Sequence, residues 1–239
     1  MKSKVYWTIS PLINTPSVIY DNPIKPRTLA PCPVVNDHAQ RTRIIPTPYD
    51  LKIKPNWFYN QVTEKYIFDG FDTSSKDLKN DHMWTLDTIL DTAKETWYDQ
   101  EKAQFQIVVP YVFISEEDID MTLTGLQSAE TNSDLNNLMF IEATLPIGKM
   151  ARPLSSAWAF NDNELAHFKK GQPLFKITFS KPVDLYYFTA GELFKSYCKL
   201  NNGLVNYQSG TKRRFDNILN RKPKRLFKEI KSNVVYQEV

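Results

Sequence analysis

The sequence predicts a mainly β (α+β) protein: an antiparallel β-sandwich or jelly-roll-like body, a proline-rich extended N-terminal region and short C-terminal helices. Three observations point there. Between residues 104 and 188, segments rich in Val, Ile, Phe, Tyr and Thr recur at fairly regular spacing with polar turns between them, the pattern of sandwiches and small barrels. Nine of the fifteen prolines lie between Pro11 and Pro55. Helical periodicity, confined before that to Leu86–Trp97, returns after Ala190. Strands do not alternate with helices in the way that a doubly wound sheet requires.

Val5-Tyr6-Trp7-Thr8-Ile9 reads as the first strand. Proline fixes φ and removes a donor, so long helices are improbable through residue 60. Pro31-Cys32-Pro33 and Ile45-Pro46-Thr47-Pro48 read as edge strands or ordered connectors. Tyr49–Lys54 alternates apolar and polar strictly, as a half-buried strand does. Lys65–Phe68 reads as a short strand, and the polar stretch from Asp72 to Asp81 as a loop. Leu86, Ile89, Leu90, Ala93 and Trp97 then recur at helical spacing, with Asp87 as a candidate cap.

Six strands follow, Gln104–Ser115, Asp120–Thr124, Asn137–Thr144, Ser155–Phe160, Leu174–Phe179 and Val183–Phe188. Turns such as Glu116-Glu117-Asp118, Asn161-Asp162-Asn163 and Lys170-Gly171-Gln172-Pro173 separate them. Leu193, Phe194, Tyr197 and Leu200 share one helical face before Asn201-Asn202-Gly203 ends the segment. In the tail, Phe215, Ile218 and Leu219 fall on one face, Pro223 interrupts, and Leu226, Phe227 and Ile230 resume the pattern. The expected organisation is a β-rich domain over residues 1–190, wrap included, with a basic helical appendage over 191–239 packing on it.

At 239 residues with 41% hydrophobic and 24% charged side chains, the chain can bury a sizeable core, and wholesale disorder is excluded. Seven glycines leave no dinucleotide or phosphate-cradling glycine loop. No apolar run approaches the roughly 18–20 residues of a membrane span, so no membrane partner is expected. The run after Met1-Lys2-Ser3-Lys4 is too short for a signal peptide. Two cysteines, Cys32 and Cys198, exclude a disulfide scaffold and make a reduced, cytoplasmic setting the simplest reading.

Few residues offer chemistry. His38, His82 and His167 are the three histidines. Two of them with a carboxylate are the minimum for a metal-dependent enzyme on a jelly-roll scaffold. The compact spacings of such sites are missing, so they read as surface or capping residues. Cys32, between two prolines, has no expected helix N-terminus to depress its pKa and reads as a buried structural thiol. Glu116-Glu117-Asp118-x-Asp120 lacks calcium-loop spacing and reads as a solvated turn. No catalytic, cofactor-binding or metal-binding residue is assigned.

Charge is more informative. The net +3 hides a segment, Thr211 to Ser232, that carries nine cations against Asp216 and Glu229, leaving a mildly acidic remainder. Lys212, Arg213, Arg214, Arg221, Lys222, Lys224 and Arg225 are the candidate partner-binding residues, for phosphates or an acidic protein.

Two stretches carry a resemblance. Ala30-Pro31-Cys32-Pro33 with Ile44–Leu51, and Arg152-Pro153-Leu154 to Ala159-Phe160 with His167–Phe175, resemble the "CP…SPYD" and "RP…AF…KKGDPLF" stretches of an uncharacterised β-rich protein family. Its members are encoded by tailed phages of marine cyanobacteria and by some bacteria. The resemblance spans roughly residues 10–190. It implies a β-rich domain in a viral or bacterial intracellular setting and supplies no catalytic residue.

The function expected is therefore that of a non-enzymatic binding protein, phage-encoded, whose basic tail contacts nucleic acid or an acidic partner. The alternatives are the metal-dependent enzyme and a virion component with its proline-rich arm on a neighbouring subunit. A homo-oligomer is left open.

Overall fold

The computed structural model describes residues 2–11, 23–25, 32–75, 101–126, 135–205 and 224–237, with the backbone alone over 200–205. The helix expected around Leu86–Trp97, His82, and the face formed by Phe215, Ile218 and Leu219 lie outside the described residues. The elements run β1 (Ser3–Ile9), α1 (Pro33–Arg41), β2 (Thr42–Pro46), β3 (Leu51–Asn60), β4 (Lys65–Ser74), β5 (Gln104–Ser115), β6 (Asp120–Thr124), β7 (Leu138–Ile141), β8 (Ala143–Pro146), β9 (Pro153–Phe160), β10 (Ala166–Phe168), β11 (Pro173–Phe179), β12 (Val183–Phe188), α2 (Glu192–Val205), α3 (Lys224–Ser232) and β13 (Val234–Gln237). No helix among the described residues is long and apolar enough to cross a membrane.

The protein is a mainly β, sandwich-like α+β fold. One layer is a six-stranded sheet of order β13-β12-β1-β5-β9-β7. The facing layer combines a three-stranded sheet, β10-β3-β4, with a four-stranded one, β2-β11-β6-β8. Aromatic rings bridge the layers: Phe113 meets Phe179 at 6.0 Å, Phe140 meets Phe175 at 5.7 Å, and Trp158 meets Phe168 at 5.6 Å between centroids. Pairing is antiparallel throughout except between β1 and β12. Pro110, which brings no N–H, sits in the bulge between Val109 and Val112, where β5 passes from β9 to β1 as neighbour.

Alternation assigns the two faces of the large sheet. Val5 and Trp7 of β1 and Tyr111 and Phe113 of β5 enter the sandwich core. Tyr6, Val112 and Ile114 point the other way, into a second cluster with Phe194, Tyr197 and Cys198 of α2 and Leu226, Phe227 and Ile230 of α3. A sheet buried on both faces explains why β1 and β5 are apolar almost throughout.

Four local expectations are corrected. Pro33, expected in an edge strand or connector, instead opens α1 behind an extended Cys32; a missing N–H costs nothing there because first-turn donors are unpaired anyway. Pro31 lies outside the described residues. Asn137–Thr144 divides at Glu142 into β7 and β8, which join different layers. Asp72 to Ser74 continue β4 instead of beginning a loop. In α2, Leu193 is half exposed while Cys198 is buried, and the helix runs through Asn201-Asn202-Gly203 to Val205.

Candidate functional site

Helix α3 reads Lys-Arg-Leu-Phe-Lys-Glu-Ile-Lys-Ser. Its apolar residues at 226, 227 and 230 share one face, and all three are buried, with Ile230 fully so. Phe227 lies 6.3 Å from the Tyr6 ring on the sheet. Burying such side chains contributes about 1.5–3 kcal/mol each. That outweighs the repulsion of Lys224 with Lys228 and of Lys228 with Lys231, about 0.2–0.5 kcal/mol per pair. It also outweighs the roughly 0.3–1 kcal/mol by which cations in a first turn oppose the helix dipole. Packing therefore holds a helix whose charges would otherwise disfavour it.

The single carboxylate of α3 does not neutralise those charges. Glu229 turns to the start of α2 and accepts the N–H groups of Leu193 (3.2 Å) and Phe194 (3.0 Å). Gly191 makes room for it, since a Cβ there would lie 2.4 Å from Glu229 Cδ. At the far end Lys231 pairs with Glu116 at 2.5 Å, joining α3 to the β5–β6 turn. Lys224, Arg225 and Lys228 are all exposed and make no ion pair among the described residues. The structure thus places the candidates Lys224 and Arg225 side by side on an anchored cationic face, and adds Lys228. Lys212, Arg213, Arg214, Arg221 and Lys222 lie outside the described residues.

The acidic turn is bound up in contacts of its own. Besides Glu116, Glu117 accepts the Ser3 hydroxyl (2.6 Å) and lies 3.8 Å from Lys181 Nζ. Gly148 packs so closely beneath this turn that a Cβ would meet the Glu117 carbonyl oxygen at 2.3 Å.

The histidines are placed apart. His38 of α1 lies 3.3 Å from Thr42 Oγ1. His167 of β10 pairs with Asp50 at 2.6 Å, half-buried, beside its register partner Lys52. His82 lies outside the described residues, and among those no group of three or more His, Cys, Asp and Glu is arranged to hold a metal ion. The Asp50–His167 pair joins residues 117 apart in the chain, and nothing local in either segment announces it.

Cys32 is corrected on both counts. It is exposed, and it stands at the N-terminus of α1, where the N–H groups of Val35 and Val34 hold its thiol below the ordinary range. Cys198 is the buried thiol, pushed up to about 12 by burial.

Compared with known protein families, curated proteins and solved structures, the chain matches none of them.

Proposed function

We propose that this protein is a binding protein whose basic C-terminal segment docks on the phosphates of nucleic acid. One observation carries the reading: α3 is pinned through its apolar face, its only carboxylate is committed to capping α2, and three cations are left outward without an ion pair among the described residues. Five further cations, from Lys212 to Lys222, immediately precede it in the chain. The N-terminal end of α3 adds positive potential beside Lys224 and Arg225.

Contacts with about three phosphates predict a slope near −2.7 for log K against log salt on duplex DNA. That is a loss of about 40-fold between 50 and 200 mM salt. Fluorescence anisotropy with a labelled duplex measures it, alongside the combined variant Lys224→Glu, Arg225→Glu, Lys228→Glu. Binding that ignores salt, or that survives the triple variant in a folded protein, rejects the proposal. Binding to a polyglutamate probe and not to the duplex would move the assignment to an acidic protein partner. The setting that goes with this function, drawn from the family resemblance, is a phage-encoded protein in the cytoplasm of its host. Mass spectrometry of purified particles against infected-cell lysate separates that setting from a virion component.

A further inference from the structure

The β3–β4 ribbon extends beyond the rest of its layer. Strand β10 pairs with β3 only over Leu51–Ile53, whereas β3 and β4 stay paired out to Asn60 and Lys65. From Asn56 outward the ribbon has two strands, and β4 has no other neighbour on its outer edge among the described residues. Two-stranded ribbons are marginal in water, and a long open edge is a template for another strand.

The same segment exposes large apolar and aromatic side chains: Phe58 is 47% exposed, Tyr59 51%, Val62 92% and Tyr66 69%. Register and alternation put Tyr59 and Tyr66 on one face, where their rings meet at 5.3 Å, and Phe58 opposite Ile67 on the other. Both faces of the ribbon are therefore apolar near its tip.

The charges along β4 are polarised. Lys65 stands at one end, and Asp69 and Asp72 lie in the other half of Lys-Tyr-Ile-Phe-Asp-Gly-Phe-Asp-Thr-Ser. All three are exposed, and none makes an ion pair among the described residues. Laid antiparallel against itself about an axis near Ile67, β4 meets its own complement. Lys65 of each copy comes opposite the acidic half of the other, and Tyr66 comes opposite Phe68 on the shared face. A parallel arrangement would instead set lysine beside lysine and aspartate beside aspartate, which is unfavourable.

We infer that β4 is the edge through which two copies of this chain pair, joining their ribbons into one four-stranded antiparallel sheet across a two-fold axis. The contact is isologous, as closed dimers require, and it covers the Lys65–Asp69 half of β4, whose outer edge is open among the described residues. It is separate from the cationic face of α3.

Charge reversal tests it without touching the core. Lys65→Glu makes the edge wholly acidic, and Asp69→Lys with Asp72→Lys makes it wholly basic. Sedimentation velocity on the full chain should give a species of about twice 27.8 kDa for the wild type. Each variant alone should dissociate at least about tenfold more readily, and mixing the two variants should restore a one-to-one dimer. Far-UV circular dichroism checks that both remain folded. A wild-type chain that stays monomeric at about 100 μM, far above a micromolar Kd, overturns the inference. So does a dimer that neither variant weakens, or a mixture that fails to reassociate.

Discussion

Alanine at position 191 probes how the cationic helix is held to the body. A Cβ there would lie 2.4 Å from Glu229 Cδ and 2.7 Å from both carboxylate oxygens. Those atoms end a flexible side chain, so the carboxylate swings away and the backbone stays. The N–H groups of Leu193 and Phe194 then lose their charged acceptor, a loss of the order of a capping interaction, about 1–2 kcal/mol. In a chain of this size that lowers Tm by about 2–8 °C. In a Glu229→Ala background the same substitution meets no carboxylate. Gly191 is not among the positive-φ glycines, so alanine there restricts the unfolded chain and stabilises by about 0.4–1 kcal/mol. The substitution should therefore change sign between the two backgrounds. Urea unfolding followed by tryptophan fluorescence, carried through the four-member cycle, reads the difference. Equal costs in both backgrounds would refute the coupling of Gly191 to Glu229.

Other expectations follow from the packing and the thiols. Gly148→Ala drives a Cβ onto the main chain of Glu117, Asp118 and Ile119, which cannot swing aside. It should cost about 1–3 kcal/mol or more, read as a larger fall in Tm than for Gly191→Ala. Phe188→Ala removes a buried ring set edge-on to Phe194 at 4.8 Å and should cost about 3–5 kcal/mol in chemical denaturation. In native protein a thiol reagent should modify Cys32 quickly and Cys198 only on unfolding; two fast thiols in the native state would contradict the burial of Cys198. Stability should also fall at alkaline pH. Burial, with smaller contributions from Glu116 and Tyr186, holds Tyr6 up to about 12, and burial holds Cys198 there too. The unfolded chain releases these protons from about pH 8.5 for the thiol and about 10 for the phenol, while the folded chain keeps them. The stability is thus complete below that range and is lost as pH rises towards 12, which urea midpoints measured across it would reveal.

The strands that could be read from sequence are those whose side chains alternate between two environments and whose ends carry turn residues. Asp120–Thr124 and Val183–Phe188 meet both conditions, and Gln104–Ser115, buried on both faces, is marked instead by its apolar β-branched and aromatic run; the observed β6, β12 and β5 share their bounds. Three kinds of feature were not legible. Strand β10 has three residues and owes its existence to pairing with β3, so it carries no periodic signal. Helix α1 begins at a proline in a proline-dense region, where the residue that ends extended chain is also one that suits a first helical turn. Residue 142 carries no Gly or Pro signal, although the chain there leaves one layer for the other. For the candidate site, the buried face of α3 was visible as Leu226, Phe227 and Ile230. The diversion of Glu229 was not, because its partners lie 35 and 36 residues earlier.

The place of β1 in the large sheet has a consequence for how the chain reaches its fold. Val5 pairs with Ser115 on one side and with Leu185 on the other, so its neighbours follow it by about 110 and 180 residues. On a ribosome adding roughly 5–20 residues per second, an apolar strand waits many seconds for its first partner and longer for its second. Contacts of such sequence separation form slowly even in the free chain. Throughout that interval Val5, Tyr6 and Trp7, destined for two different cores, are exposed together, which makes the opening strand the place where a chaperone has most to shield.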